Sequence, residues 1–382
     1  MLKYIQFECK KALKSPIFSL LLIIAVSVIG LYYVFVHVST QSIYDNLIMT
    51  NENMASDFQL FISDNIELIE SGNLSSEEIA DQEQQNKHLQ TQVDLSEKKA
   101  NLYKEKDWQS LLAFQMELDE EYRDQAKTFQ PFEITVGGRS FYSYETGMAQ
   151  NQLLLDRGIK PVLPIDFTYT IKDYSTNQTE LMEERAVRHD SSGLYFTYEM
   201  TGILFGFVGI VFFMLLFGDI VNKESFGGFG SANLLFTQPI SRSKILNGKW
   251  LTVMIGSGLI LISICLLSIL IGTVFDRFGD LDYPILIYGE ELEYSFTNLG
   301  TFLLQSLVLF FLALLFSYSL LFLFSLLMKN TLAAVVSTIT LIFVGIELSS
   351  HDYLASIAHY IPFSYFNVHE VLKQEAAFNM DN

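Results

Sequence analysis

Few groups in this 382-residue sequence are spaced for chemistry. Glu117, Asp119, Glu120 and Glu121 crowd one short stretch and could serve as paired carboxylates, one giving and one taking a proton. A charge run of this kind on a helix is ordinarily a solvated face, and we read it so. His369-Glu370 opens like a zinc-binding helix, but no second histidine completes the motif. His351, His359 and His369 are therefore read as surface or interfacial groups rather than metal ligands. The sequence has no G-x-x-x-x-G-K-[ST] phosphate loop, and Gly248-Lys249-Trp250 lacks both the upstream glycine and the hydroxyl. It also has no G-x-S-x-G nucleophile elbow. No catalytic, cofactor-binding or metal-binding residue is assigned, and the chain is expected not to be an enzyme.

What the sequence offers instead is long apolar elements. Its formal charge is −19, yet 50% of its residues are hydrophobic and its mean hydropathy is +0.29. Charge and apolar residues must therefore occupy different segments. Apolar runs predict membrane-spanning helices at 17–38, 196–218, 250–275, 299–327 and 331–347, each able to supply the roughly 20 residues that cross a bilayer. The fold class is thus an α-helical polytopic membrane protein with five visible spans. Residues 17–38 lack a small-x-small cleavage site and read as a retained anchor, not a signal peptide. Cys9 and Cys265 are the only cysteines, which excludes a disulfide-stapled fold. Glu199 and Glu347 border the apolar runs, where an ionisable group can line a substrate path; the competing reading is a hydrated residue at a helix end.

Basic residues orient the spans. Lys3, Lys10, Lys11 and Lys14 precede the first, and Lys223, Arg242, Lys244 and Lys249 lie between the second and third, so both segments are placed in the cytoplasm. Residues 39–195 hold 13 basic against 28 acidic residues and are placed outside, as are the acidic loop 276–298 and the tail 349–382. Residues 1–16 carry Leu2, Ile5, Cys9 and Leu13 on one helical face and lysines around the other, the pattern of a helix on the inner membrane surface. Pro16 predicts a break before the first span. Leu354 to Val368 is too short and polar for a span and reads as a re-entrant or interfacial segment.

The outer segment is long enough for an independent, mainly helical domain. Ile43, Leu47, Met54, Phe58, Phe61, Ile62, Ile66 and Ile69 recur at helical spacing. After a Ser71-Gly72-Asn73 break, Ser75-Ser76-Glu77-Glu78 forms a capping box. Ile79, Leu89, Val93, Tyr103, Leu111, Phe114, Leu118 and Tyr122 then continue an imperfect helical period, predicting a long hairpin over about 42–128. The remainder, 131–195, is expected to be mixed, with a β-hairpin around the Gly137-Gly138 turn of Ile134 to Tyr142 and a β-prone run at Phe167 to Ile171.

The most specific stretch is the inner loop, 219–249. It reads as a short apolar helix, Ser231 to Thr237, entered through glycines and ended by Pro239, followed by a Ser-capped basic helix leading into the third span. A cytoplasmic helix bearing Leu234, Leu235 and Phe236 needs a partner groove to bury them. Here the sequence resembles the membrane permease subunits of type-2 ABC transporters. Asp219 and Glu224 stand at that family's acidic positions, Gly230-Ser231 at its Gly-Thr and Leu234-Leu235 in its helix. Pro239-Ile240-Ser241-Arg242 matches its turn, and Ile245-Leu246-Asn247-Gly248-Lys249 its approach to the third span.

The resemblance implies that this loop holds a coupling helix seated in a separate cytosolic ABC ATPase, with ATP and Mg bound there and no cofactor in this chain. It further implies a second permease subunit as homo- or heterodimer partner, contact with membrane lipid but not nucleic acid, and a bacterial plasma-membrane location. Members of this shape export peptides, drugs or lipids, so a hydrophobic or amphipathic cargo is expected. Departures are the glycine-rich Phe226-Gly227-Gly228-Phe229, an enlarged outer domain, and five spans where six are usual, which implies a further span beyond residue 382. The alternative function is a membrane-anchored receptor or scaffold without transport, which would have no need of an apolar cytoplasmic helix.

Overall fold

Apolar segments in lipid must satisfy their backbone polar groups internally, which favours helices. The computed structural model is accordingly dominated by them; it describes residues 2–72, 74–133, 138–165, 188–222, 242–289, 292–328, 330–349, 351, 357 and 359–374. The helices are α1 (Leu2–Leu13), α2 (Pro16–Glu70), α3 (Ser76–Glu105), α4 (Trp108–Ala126), α5 (Phe141–Arg157), α6 (Gly193–Leu204) and α7 (Phe207–Asn222). After α8 (Arg242–Phe275) come strands β1 (Pro284–Tyr288) and β2 (Tyr294–Asn298), then α9 (Leu299–Leu327), α10 (Thr331–Ser349), a 3-10 turn at Pro362–Tyr365 and α11 (Val368–Lys373). Two compact units result: Met1–Val34 with Ser191–Asn382, and Phe35–Asp190.

The first unit makes the chain a polytopic helical membrane protein. Pro16–Glu70, Leu246–Phe275, Leu299–Leu327 and Leu332–Ser349 are each long and apolar enough to cross a bilayer. The pair Gly193–Leu204 and Phe207–Gly218 provides a fifth crossing if it counts as one span, but the two helices meet at 76°. The segment expected to span over 196–218 is therefore built of two helices that break at Phe205. The chain leaves helical geometry at Phe205 (ψ 46°), whose carbonyl accepts a hydrogen bond from Val368 N at 3.3 Å instead of continuing the helical ladder.

The core of this unit is aromatic. Phe205 stacks on Phe310 with ring centroids 4.7 Å apart, Phe213 lies 6.1 Å from Phe310, Phe217 belongs to the same cluster, and all four are buried. Tyr318 is buried among them with its hydroxyl 2.8 Å from Ser257 Oγ and 3.3 Å from the Phe213 carbonyl, so its one polar atom is satisfied. β1 and β2 form an antiparallel ladder from Pro284↔Asn298 to Tyr288↔Tyr294, closed by Gly289 N donating to Glu293 O at 2.9 Å.

This β element is not where the sequence reading placed one. Residues 134–137 and 167–171 lie outside the described residues, while Phe141 and Tyr142 open α5, capped by Ser140 Oγ accepting from Ser143 N at 3.1 Å. A serine cap outcompetes the β preference of the two aromatics. The Ile-Leu-Ile-Tyr run of β1 carries an ordinary strand signature inside a segment read only as a loop.

In the second unit the expected capping box forms: Ser75 Oγ accepts from Glu78 N at 3.3 Å and Glu78 Oε2 accepts from Ser75 N at 2.7 Å. The return arm of the hairpin is two helices rather than one. Lys106 adopts a left-handed conformation (φ 56°) and Asp107 recaps α4 by accepting from Ser110 N at 3.2 Å. α2 meets α3 through polar contacts, Tyr44 Oη donating to Tyr103 O at 2.9 Å and Asn65 Nδ2 to Asn86 Oδ1 at 2.8 Å, with a Lys104–Glu52 ion pair.

The acidic cluster on α4 also needs correction. Glu117, Glu120 and Glu121 are exposed, but Asp119 is 2% exposed and pairs with Arg139 at 3.0 Å. The helical period sends it to the α5 side, where an arginine outside the cluster compensates the charge.

Candidate functional site

The break between α6 and α7 is the most unusual backbone feature among the apolar helices. A broken helix at membrane depth is tolerated where its freed groups find other partners. Here the C-terminal segment supplies them: besides Val368 N on the Phe205 carbonyl, His369 packs beside Gly202, where an added β-carbon would lie 3.3 Å from Nδ1. His369 Nε2 lies 3.0 Å from Thr201 Oγ1, and its ring packs against Tyr198 and Phe302, each at 5.0 Å between centroids. Burial in this aromatic pocket, with the Lys373 charge nearby, pushes the His369 pKa down to about 3. His369, read from the sequence as a surface or interfacial group, is thus half-buried against α6 and α9. Phe363 caps α10 from the same segment, its ring 2.5 Å from where a β-carbon on Gly345 would stand. Of the expected re-entrant stretch, residues 354–356 and 358 lie outside the described residues.

The two carboxylates singled out for a substrate path have different settings. Glu199 is partly buried within α6, and its Oε2 accepts from Tyr32 Oη of α2 at 3.4 Å. Aromatic rings fix that tyrosine's neighbourhood: Tyr32 lies 5.8 Å from Phe196, and Tyr33 meets the same ring edge-on at 5.0 Å. Glu347 is exposed near the end of α10. Tyr32 was not singled out from the sequence, where a tyrosine in a span is indistinguishable from interfacial anchoring.

At the opposite end of α7 lies the inner loop. Glu224, Gly230, Ser231, Leu234, Leu235, Pro239 and Ser241 lie outside the described residues. Asp219 belongs to the last turns of α7, and Arg242 opens α8. Lys249 is 6% exposed on α8. α1 ends ahead of Ser15 and Pro16 and packs on both α7 and α8, with Glu8 fully buried and Lys11 Nζ 3.9 Å from its Oε2. The N-terminal helix and both flanks of the loop therefore form one packed group.

Comparison with known proteins yields no match among curated proteins and none among solved structures. Residues 5–360 match the family described as ABC-2 family transporter protein. That range takes in most of α1, every apolar helix, the second unit and the inner loop, and the chain therefore belongs to the ABC-2 transporter family.

Proposed function

We propose that this chain is the permease subunit of an ABC exporter that works as a dimer of permease subunits, its transport driven by ATP hydrolysis in a separate cytosolic ABC ATPase binding ATP and Mg. The observation that carries this reading is the family match over residues 5–360. The basic flanks of α2 and α8 support a cytoplasmic N-terminus and inner loop, with residues 39–195 outside the cell.

The coupling route follows from connectivity. Asp219, Glu224, Gly230, Ser231, Leu234, Leu235, Pro239, Ser241, Arg242 and Lys249 form or flank the loop whose ends are α7 and α8. A shift of that loop on ATPase closure acts on both helices at once, and through the buried Phe213, Phe217 and Tyr318 it reaches α9. Glu199 and Glu347 are the ionisable groups proposed to face the cargo, which we take to be a hydrophobic or amphipathic peptide, drug or lipid.

Affinity purification of the membrane protein from its native host tests this reading. Recovery of a Walker-motif ATPase in equal amounts, with ATPase activity that rises on reconstitution with the permease, is the expected result. A preparation that binds partners through its acidic segment but recovers no ATPase would overturn it in favour of a receptor or scaffold.

A further inference from the structure

We propose that the second unit carries a binding site for a neutral, hydroxyl-rich ligand of the saccharide class, in a cavity walled by α2, α3, α4 and α5 with Arg139. The cavity measures about 500 Å³, within the range of small-molecule sites. Beside the apolar Met54, Leu95 and Leu118, its walls present the amides of Asn51, Gln92, Gln115 and Gln125 together with the hydroxyls of Ser96 and Tyr122.

The floor is held rigidly. Arg139 donates from Nη1 to Asp119 Oδ2 at 3.0 Å and from Nη2 to the Ser143 carbonyl at 2.9 Å. Its guanidinium lies 4.4 Å from the centre of the Tyr144 ring, which in turn stacks on Tyr122 at 6.3 Å. Gln115 Nε2 donates to Asp119 Oδ1 at 2.8 Å, which fixes the orientation of the amide. Gln115 is 5% exposed, and its Oε1 is a buried acceptor with no hydrogen-bond partner among the described residues. A buried acceptor left unmade costs about 1–3 kcal/mol, and this one belongs to a residue of the cavity wall, where a ligand donor that reached it would satisfy it.

Charge selects the class of ligand. Asp119 is neutralised by Arg139, so no carboxylate on the walls remains to hold an ammonium group, and Arg139 in turn is committed to Asp119 and Ser143. Lys99 is the other charged residue of the walls. A neutral molecule with both donors and acceptors matches the amides, since each hydroxyl can donate to an amide oxygen and accept from an amide nitrogen. Tyr122, propped against Tyr144, offers an aromatic wall to the C–H faces of a sugar ring.

Calorimetric titration of the full-length protein in lipid nanodiscs tests the site, using maltose, sucrose and N,N′-diacetylchitobiose, with dialanine and citrate for comparison. At least one disaccharide is expected to bind, and Gln115→Leu should weaken it by about tenfold, with a lower melting temperature because Asp119 Oδ1 loses its donor. Should that variant not fold, Gln92→Leu at a less buried wall position takes its place with the same expectation. Nanodiscs containing a glucosyl-diacylglycerol separate the two sources of the chemistry: competition with the free sugar marks a lipid-borne saccharide, and its absence a soluble one. Tighter binding of dialanine or citrate, no disaccharide binding below about 1 mM, or sugar binding indifferent to the glutamine substitution would each overturn the proposal. The titration needs no ATPase, so its failure leaves the transport reading untouched, and failure to recover an ATPase leaves the saccharide site untouched.

Discussion

Gly193 of α6 and Gly272 of α8 bring their backbones into direct contact: a β-carbon added to Gly272 would stand 2.5 Å from the Gly193 Cα. Added to Gly193, it would stand 2.5 Å from the Ile269 carbonyl oxygen. Neither neighbour is a flexible side chain that can move aside. Small residues at such crossings let helices approach closely where no hydrophobic force distinguishes helix from lipid. Beside the crossing, Gly193 N donates to Arg277 O at 2.8 Å and Ser191 Oγ to Asp276 Oδ2 at 2.7 Å, tying the start of α6 to the end of α8.

Gly272→Ala should therefore destabilise the membrane unit by about 1–3 kcal/mol, the usual cost of overpacking, and Gly272→Leu should prevent the crossing. Thermal unfolding in detergent, together with cross-linking between α6 and α8, measures both. Equal stability of the leucine variant would show that the contact is not structural.

The Asp119–Arg139 pair is more than nine-tenths buried on both sides. Arg139→Met leaves a buried carboxylate without its counter-charge and is expected to cost about 3–5 kcal/mol, whereas Asp119→Leu combined with Arg139→Met should cost less than either single change. A double-mutant cycle on unfolding free energy checks this. Additive losses would mean that the two charges are independently solvated.

His369 supplies a pH dependence. Because folding holds the ring neutral down to about pH 3, against about 6.5 when unfolded, its contribution is complete above that value and is lost progressively as pH falls between the two. Its neighbours on α6 and α9 are Thr201, Tyr198 and Phe302, and on its own helix Glu370 and Lys373. Melting temperatures from pH 8 to pH 4 should fall more steeply for the native protein than for His369→Phe.

Leu235→Asp and Arg242→Glu should uncouple ATP hydrolysis from transport while leaving the protein folded, since one removes an apolar docking contact and the other reverses a charge at the loop's exit. Transport assays in vesicles containing the ATPase, beside circular dichroism, make the comparison. Unchanged ATPase association and stimulation in both variants would count against a docking role.

Glu199→Gln keeps the hydrogen bond from Tyr32 but removes the charge, and Tyr32→Phe does the reverse. If the carboxylate faces the cargo, the first variant should reduce transport by roughly tenfold, about 1.4 kcal/mol, and the second by less. Vesicle uptake with assembly monitored by size-exclusion chromatography distinguishes the two.

The polytopic class was legible because uncharged runs near 20 residues have one solution in a bilayer: a helix with its own hydrogen bonds. The Ser75-to-Glu78 cap was legible because both of its bonds are local in sequence. The break at Phe205 was not, because the group that satisfies its freed carbonyl, the N–H of Val368, donates from 163 residues downstream. Asp119 read as one more surface acid because its counter-charge, Arg139, stands 20 residues away outside the cluster. Gln115 gave no signal at all, since only burial in the folded chain leaves one of its two polar atoms unsatisfied. Composition and local bonding thus determined which segments are apolar and where one helix starts; the tertiary structure decided which polar groups are buried together, since burial and pairing depend on residues far apart in the chain.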